Sequence, residues 1–113
     1  MKKVEAIIRP EAFQDLRDRL RDEGITGMTV SEVAGCGLQK KQTGVFRGSH
    51  FEVSLQAKIK VELVFDDHLL DHVTKTIRDV CATGEVGDGK IFVYPVEDVI
   101  RIRSGEHGLT AFK

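Results

Sequence analysis

Residues 83–106 read TGEVGDGKIFVYPVEDVIRIRSGE. Gly84, Gly87 and Gly89 allow a tight turn that exposes backbone N–H groups with no Cβ in the way, and Lys90 follows at once. This is the chemistry of a phosphate cradle with a cation attached. Gly84, Gly89 and Lys90 satisfy G-x-x-x-x-G-K, yet Ile91 stands where a P-loop needs a hydroxyl for its metal. The glycines also follow a helical pattern and lead into a strand, the reverse of strand-loop-helix. The stretch therefore keeps the anion-binding chemistry and discards the P-loop fold. Beyond it, Arg101 and Arg103 alternate with Ile100 and Ile102, which predicts a short extended piece over residues 99–103 with both guanidinium groups on one face. The plain alternative is a helix-to-strand turn with Lys90 and the arginines as ordinary surface charge.

Working outward, Leu69, Leu70, Val73, Ile77 and Val80 keep a helical period that starts at the capping residues Asp66 and Asp67 and ends near Ala82. Residues 58–65 place Ile59, Val61, Leu63 and Phe65 against Lys58, Lys60, Glu62 and Val64, a strand with one face inside. Toward the start of the chain, residues 2–9 form a strand ended by Pro10. Phe13, Leu16 and Leu20 then mark a helix over residues 11–23 that Gly24 stops. Residues 27–34 form a strand with Met28, Val30 and Val33 as core candidates, broken by Gly35 and Gly37, and residues 91–96 form the fourth. The order β-α-β-β-α-β predicts an α+β, ferredoxin-like sandwich with two helices on one face of a sheet. Lys3-Val4-Glu5 and Lys60-Val61-Glu62 open its two halves alike. Ala6, Ile7 and Ile8, and residues 91–94, are apolar on both faces, so the second face needs cover, and self-association is the simplest cover.

At 113 residues the chain makes one domain, 1–113, with a core that needs no staples. Its 17 basic and 18 acidic residues leave a net charge of -1, which disfavours non-specific nucleic-acid binding. Cys36 and Cys81 lack any C-x-x-C spacing and read as free thiols in a reducing compartment. The start, MKKVEAII, lacks the apolar stretch of a signal peptide and no run approaches a membrane span, so a soluble, cytoplasmic protein without direct membrane insertion is expected.

Between the second and third strands, residues 36–57 show no sustained periodicity. A connection of that length inside a compact domain is usually functional or disordered. It carries Lys40, Lys41 and Arg47, the apolar Val45, Phe46 and Phe51, and Glu52 as its only acid.

T-x-x-x-G-D-G-K-I-F-V from residue 83 to 93, followed by R-I-R-S-G-E from 101 to 106, resembles the signature of the PII nitrogen-regulatory proteins, and the likeness extends over residues 1–106. The resemblance implies a homotrimer with nucleotide sites in the clefts between subunits, and an exposed T-loop at about 36–57. It implies a non-enzymatic signal-transduction protein of nitrogen and energy status that binds ATP or ADP. Gly35, Gly37, Gly87, Asp88, Gly89 and Lys90 match positions that wrap the phosphates. Arg101 and Arg103 match those reaching in from a neighbouring subunit, and Thr29, Glu62 and Val64 match the adenine and ribose contacts. Gln39 and Lys58 match the 2-oxoglutarate site, with the Gln39 oxygen on Mg²⁺ and the Lys58 ammonium on a ligand carboxylate. In the loop, Arg47 matches the residue that plugs an ammonium transporter, with Phe46 and Phe51 beside it.

Four positions depart from the family's common residues. Leu38 replaces a common Arg, and Gly44 and Phe46 replace the common Glu and Tyr. Phe51 falls where the family's modification motif has its tyrosine, so no hydroxyl is available there for a nucleotidyl group, while Ser49 matches a serine phosphorylated in some members.

Two other classes share parts of this pattern. An RNA-recognition module has the same element order, and residues 89–94, GKIFVY, echo its aromatic strand motif, but on strand four, while KIKVELVF in strand three offers only Phe65. A slow ATPase or phosphotransferase would need a base. His50, His68, His72 and His107 belong to no motif with a partner.

Overall fold

The computed structural model describes residues 1–41, 50–108 and 111, with the backbone alone at 37–41 and 50–53. Its elements are β1 (Lys2–Ile8), a 3-10 turn (Pro10–Ala12), α1 (Phe13–Asp22), β2 (Met28–Lys41), β3 (His50–Phe65), a second 3-10 turn (Asp67–Leu69), α2 (Leu70–Cys81) and β4 (Lys90–Pro95). All pairings are antiparallel and the sheet order is β2-β3-β1-β4, the ferredoxin-like arrangement.

Alternation in the central strands builds the core. Val4, Ala6 and Ile8 of β1 and Val61, Leu63 and Phe65 of β3 face the helices and are buried, together with Leu16 and Leu20 of α1 and Val73, Ile77 and Cys81 of α2. Each large side chain among them contributes about 1.5–3 kcal/mol by leaving water. Pro10 opens the first helical segment, where its missing N–H costs nothing. Gly24, at φ 82°, closes it: the Ile25 N–H donates to the Leu20 carbonyl at 2.8 Å and the Gly24 N–H to Arg21 at 3.0 Å. That pair of bonds satisfies the last carbonyls of α1. At the start of the second helical segment Asp66 makes no side-chain capping bond, contrary to expectation, and a 3-10 turn leads into α2 instead.

The opposite face is mixed. Ile7, Val33, Val64, Phe92 and Tyr94 share it with Lys3, Glu5, Lys58, Lys60 and Glu62. Lys3 lies 3.1 Å from the Glu62 carboxylate and 5.7 Å from the Tyr94 ring centre. Val33 therefore lies opposite the core, and Val30, on the helix side, stays 40% exposed, so of the three core candidates in this strand only Met28 packs against the core.

Two further expectations are corrected. Gly35 and Gly37 do not end β2: Gly35 pairs with Gln56 and Gly37 with Ser54, and the ladder continues to Lys41 opposite His50. Much of the 36–57 segment is thus a two-stranded arm. Alternation gave no sign of it, because at its base Cys36 and Leu55 are exposed, Leu55 by 74%, and no buried face imposes a pattern there. Phe46 and Arg47 lie outside the described residues, as do the side chains of Gln39 and Phe51.

The second correction concerns residues 99–103. They do not form a strand: Ile100 makes an isolated bridge with His107, and Ile102, Arg103 and Ser104 form a turn closed by the Gly105 N–H on the Arg101 carbonyl at 2.7 Å. Ile100 and Ile102 are exposed, so their alternation with the arginines marks no packed face.

Candidate functional site

The glycine-rich turn after α2 is held from within. Ala82 leaves the helix in extended conformation, and the chain turns back through Gly84, Gly87 and Gly89, with φ of 85°, 102° and 101°. Asp88 organises this turn. Its carboxylate accepts from the Thr83 hydroxyl, from the Thr83 N–H at 2.8 Å and the Gly84 N–H at 2.9 Å, and from Arg9 Nε at 3.3 Å. These donors, the Thr83 hydroxyl first, hold its pKa down to about 2. A second Arg9 nitrogen donates to the Val86 carbonyl at 2.9 Å, and a Cβ on Gly87 would sit 3.2 Å from that guanidinium. Asp88, matched by resemblance to a phosphate-wrapping position, thus spends its own charge inside the loop. Arg9 was not anticipated. It stands on the far side of the sequence, and no local pattern ties it to residue 88.

The Asp88 carboxylate binds protons less readily in the folded chain than at its ordinary pKa of about 3.9, so its stabilisation is complete above that value and lost as pH falls toward 2. The difference in thermal midpoint between the parent and Asp88→Asn is expected to be largest near neutrality and to shrink as pH drops from about 4 to about 2. A difference that stays constant through that window would show that the charge is not what holds the turn.

Gly89 passes so close to β1 that a Cβ there would lie 1.7 Å from the Ile7 carbonyl oxygen. This contact sets the turn against the sheet, beside a cleft of about 430 Å³ lined by Ile7, Gly35, Lys58, Gly87, Gly89, Lys90 and Phe92. Lys58 reaches it from β3. Its stem crosses Gly35, where an added Cβ would meet it at 3.2 Å, and its ammonium donates to the Gly87 carbonyl. Two lysines and the glycine turn therefore meet in one pocket, an arrangement suited to anionic oxygen.

The remaining candidates gather at the other end of the sheet. Thr29, Glu62 and Val64 line a second cleft of about 660 Å³ with Lys3 and Gly27. Glu62 is engaged by Lys3 and, at 3.6 Å, by Lys60; the Lys3 hydrogen bond, first among several causes, holds its carboxyl below the usual range. Arg101 and Arg103 follow β4, where Arg101 is 3.2 Å from the Glu106 carboxylate. Within one chain, β4 separates these arginines from the cradle. Among the described residues no group of three or more acidic, histidine or cysteine side chains could hold a metal ion, and no helix is long and apolar enough to cross a membrane.

Residues 1–106 match the family model described as Nitrogen regulatory protein P-II. The chain is 54% identical over 111 residues to the Nitrogen regulatory protein P-II of Nostoc punctiforme, covering 98% of this chain and 99% of that one. It is 52% identical over 106 residues to the protein of the same name from Pasteurella multocida, covering 94% and 95%. Among solved structures, the B. subtilis GlnK–ATP complex superposes with a TM-score of 0.81 at 44% identity, covering 97% of this chain and 96% of that one. With the ferredoxin-like sheet and the glycine turn already in place, these likenesses show that the chain belongs to the P-II family of nitrogen regulatory proteins.

Proposed function

We propose that this chain is a non-enzymatic sensor of nitrogen and energy status. It binds ATP or ADP at the glycine turn and, with Mg²⁺ and ATP in place, 2-oxoglutarate, and it regulates partners through the arm and loop at 36–57. The observation that carries the reading is the convergence of Gly35, Lys58, Gly87, Gly89 and Lys90 on one cleft. Residues of β2, of β3 and of the turn after α2 meet there and bring two lysines beside the glycines, which fits a polyphosphate. The GlnK relative solved with ATP supports the same ligand. Lys58 then answers to two ligands: it braces Gly87 here, and its ammonium is the point charge that a 2-oxoglutarate carboxylate would take. Gln39, on the same arm, would offer an oxygen to Mg²⁺.

No catalytic residue is assigned, because a sensor needs no base. The RNA-binding alternative is disfavoured by where the aromatics stand: Phe92 and Tyr94 lie on the edge strand β4, while the central strands present Lys3, Glu5, Lys60 and Glu62. We read the protein as a cytoplasmic homotrimer whose partner is an ammonium transporter met through Arg47, or another protein of nitrogen metabolism.

Calorimetric titration tests the ligand logic. ATP and ADP are expected to compete for one site per chain, and 2-oxoglutarate to bind only after Mg²⁺ and ATP, a cooperativity that linkage requires if the metal bridges both ligands. Tight 2-oxoglutarate binding to the nucleotide-free protein, or additive binding of ATP and ADP, would overturn it.

A further inference from the structure

The turn that carries Arg101 and Arg103 has little apolar support. Ile102 is fully exposed and Ile100 more than half exposed, so packing does not fix the path of residues 100–106. Polar closures do. At the open end, His107 Nδ1 lies 2.6 Å from Asp98 Oδ2, while Asp98 Oδ1 accepts from the Val99 N–H at 2.8 Å and the Gly108 N–H at 3.2 Å. Gly108, at φ 75°, returns a further bond to the Val99 carbonyl at 3.0 Å. One carboxylate thus joins both legs of the turn, and the Ile100–His107 bridge continues the closure inward.

We propose that Asp98 and His107 form a latch that positions the arginine turn for the phosphates of a nucleotide. The inference rests on the nucleotide reading above and adds two residues that touch no ligand themselves. With the latch closed, Arg101 and Arg103 leave the sheet on a short, fixed loop. With it open, the residues beyond Val96, whose N–H donates to the Met1 carbonyl at 3.1 Å, are freer to move, and each guanidinium loses configurational freedom on binding that the latch had already removed. The contact is charge-assisted and short, and the His107 hydrogen bond, first among its causes, holds the Asp98 carboxyl below the usual range.

The test is a thermodynamic cycle on the full chain, read as ATP dissociation constants by calorimetry. His107→Ala and Asp98→Ala are each expected to weaken binding about threefold to tenfold in the parent. In an Arg101→Ala/Arg103→Ala background the same changes should alter it by no more than about twofold, because the latch acts through the arginines. His107→Gln, which restores a donor, should recover part of the loss. Unchanged affinity in the parent background overturns the latch. Equal weakening in both backgrounds overturns it too, since that is the mark of general loosening. Hydrogen exchange supplies a readout independent of ligand: the Gly105 and Gly108 amides should exchange faster in His107→Ala, and protection equal to the parent's would count against the closure. A parent that binds no ATP defeats the nucleotide reading and the latch with it, an outcome distinct from a parent that binds normally and ignores His107.

Discussion

Gly89→Ala is expected to destabilise the protein by about 3 kcal/mol or more and to abolish ATP binding, from the addition of one methyl group. Two costs combine. At φ 101° any L side chain is strained, and its Cβ would stand 1.7 Å from the Ile7 carbonyl oxygen and 2.9 Å from its carbon. Backbone cannot rotate away as a flexible side chain can. Ile7 is held on both sides, paired with Lys60 of β3 and Lys90 of β4, so relief requires either the centre of the sheet or the cradle itself to move. Gly84→Ala separates the two costs: its φ is 85°, but nothing lies within 4 Å of the added Cβ. That variant should lose only about 1 kcal/mol. Denaturant unfolding of both, with calorimetry for ATP, checks the difference. Equal losses would mean that the left-handed backbone, and not the approach to β1, is what the glycine serves.

Why this glycine matters could be read only in part from the chain. The sequence calls for φ > 0 around residues 84–89, and the helix-turn-strand order excludes a P-loop, because both are local. The approach of Gly89 to Ile7 and the grip of Arg9 on Asp88 are contacts across some eighty positions, and no periodicity encodes them. Element order and core were legible for the same reason: Val4, Val61, Leu16 and Ile77 sit on faces that alternate or repeat at a helical period against a core. Where no core lies beneath, the signal fails. The arm beyond Gly35 looked like a loop because its described base, at Cys36 and Leu55, is exposed and imposes no alternation, and residues 99–103 looked like a strand because Ile100 and Ile102 alternate with arginines by coincidence of composition. The family resemblance, carried by residues 83–106, drew the Asp88 and arginine positions into one site. It could not say that the Asp88 carboxylate turns inward, which is a matter of donors folded around it.

Mixing two defective chains is expected to rebuild one tight ATP site per ring. Lys90 begins β4 opposite Ile7, and Pro95 ends it opposite Lys2, so the cradle and the arginine turn stand at opposite ends of a strand of about 17–20 Å. A nucleotide that touches both draws them from different chains if the protein closes into a ring through a heterologous interface. In the homotrimer proposed above, Lys90→Ala should weaken ATP binding at every site, and Arg101→Ala/Arg103→Ala likewise, each lost charge-assisted contact costing about 1.5–3 kcal/mol. In a mixed ring of three, whichever chain is in the majority, a sound cradle faces a sound arginine turn at one junction only. Co-expression with two tags and tandem purification isolates such rings, native mass spectrometry verifies that they hold three chains, and calorimetry should then find one site of parental affinity in each. A cradle and arginines that act within the same chain would leave every mixed ring without a tight site, because no chain carries both intact. That result would refute the shared site while leaving the fold and the family untouched.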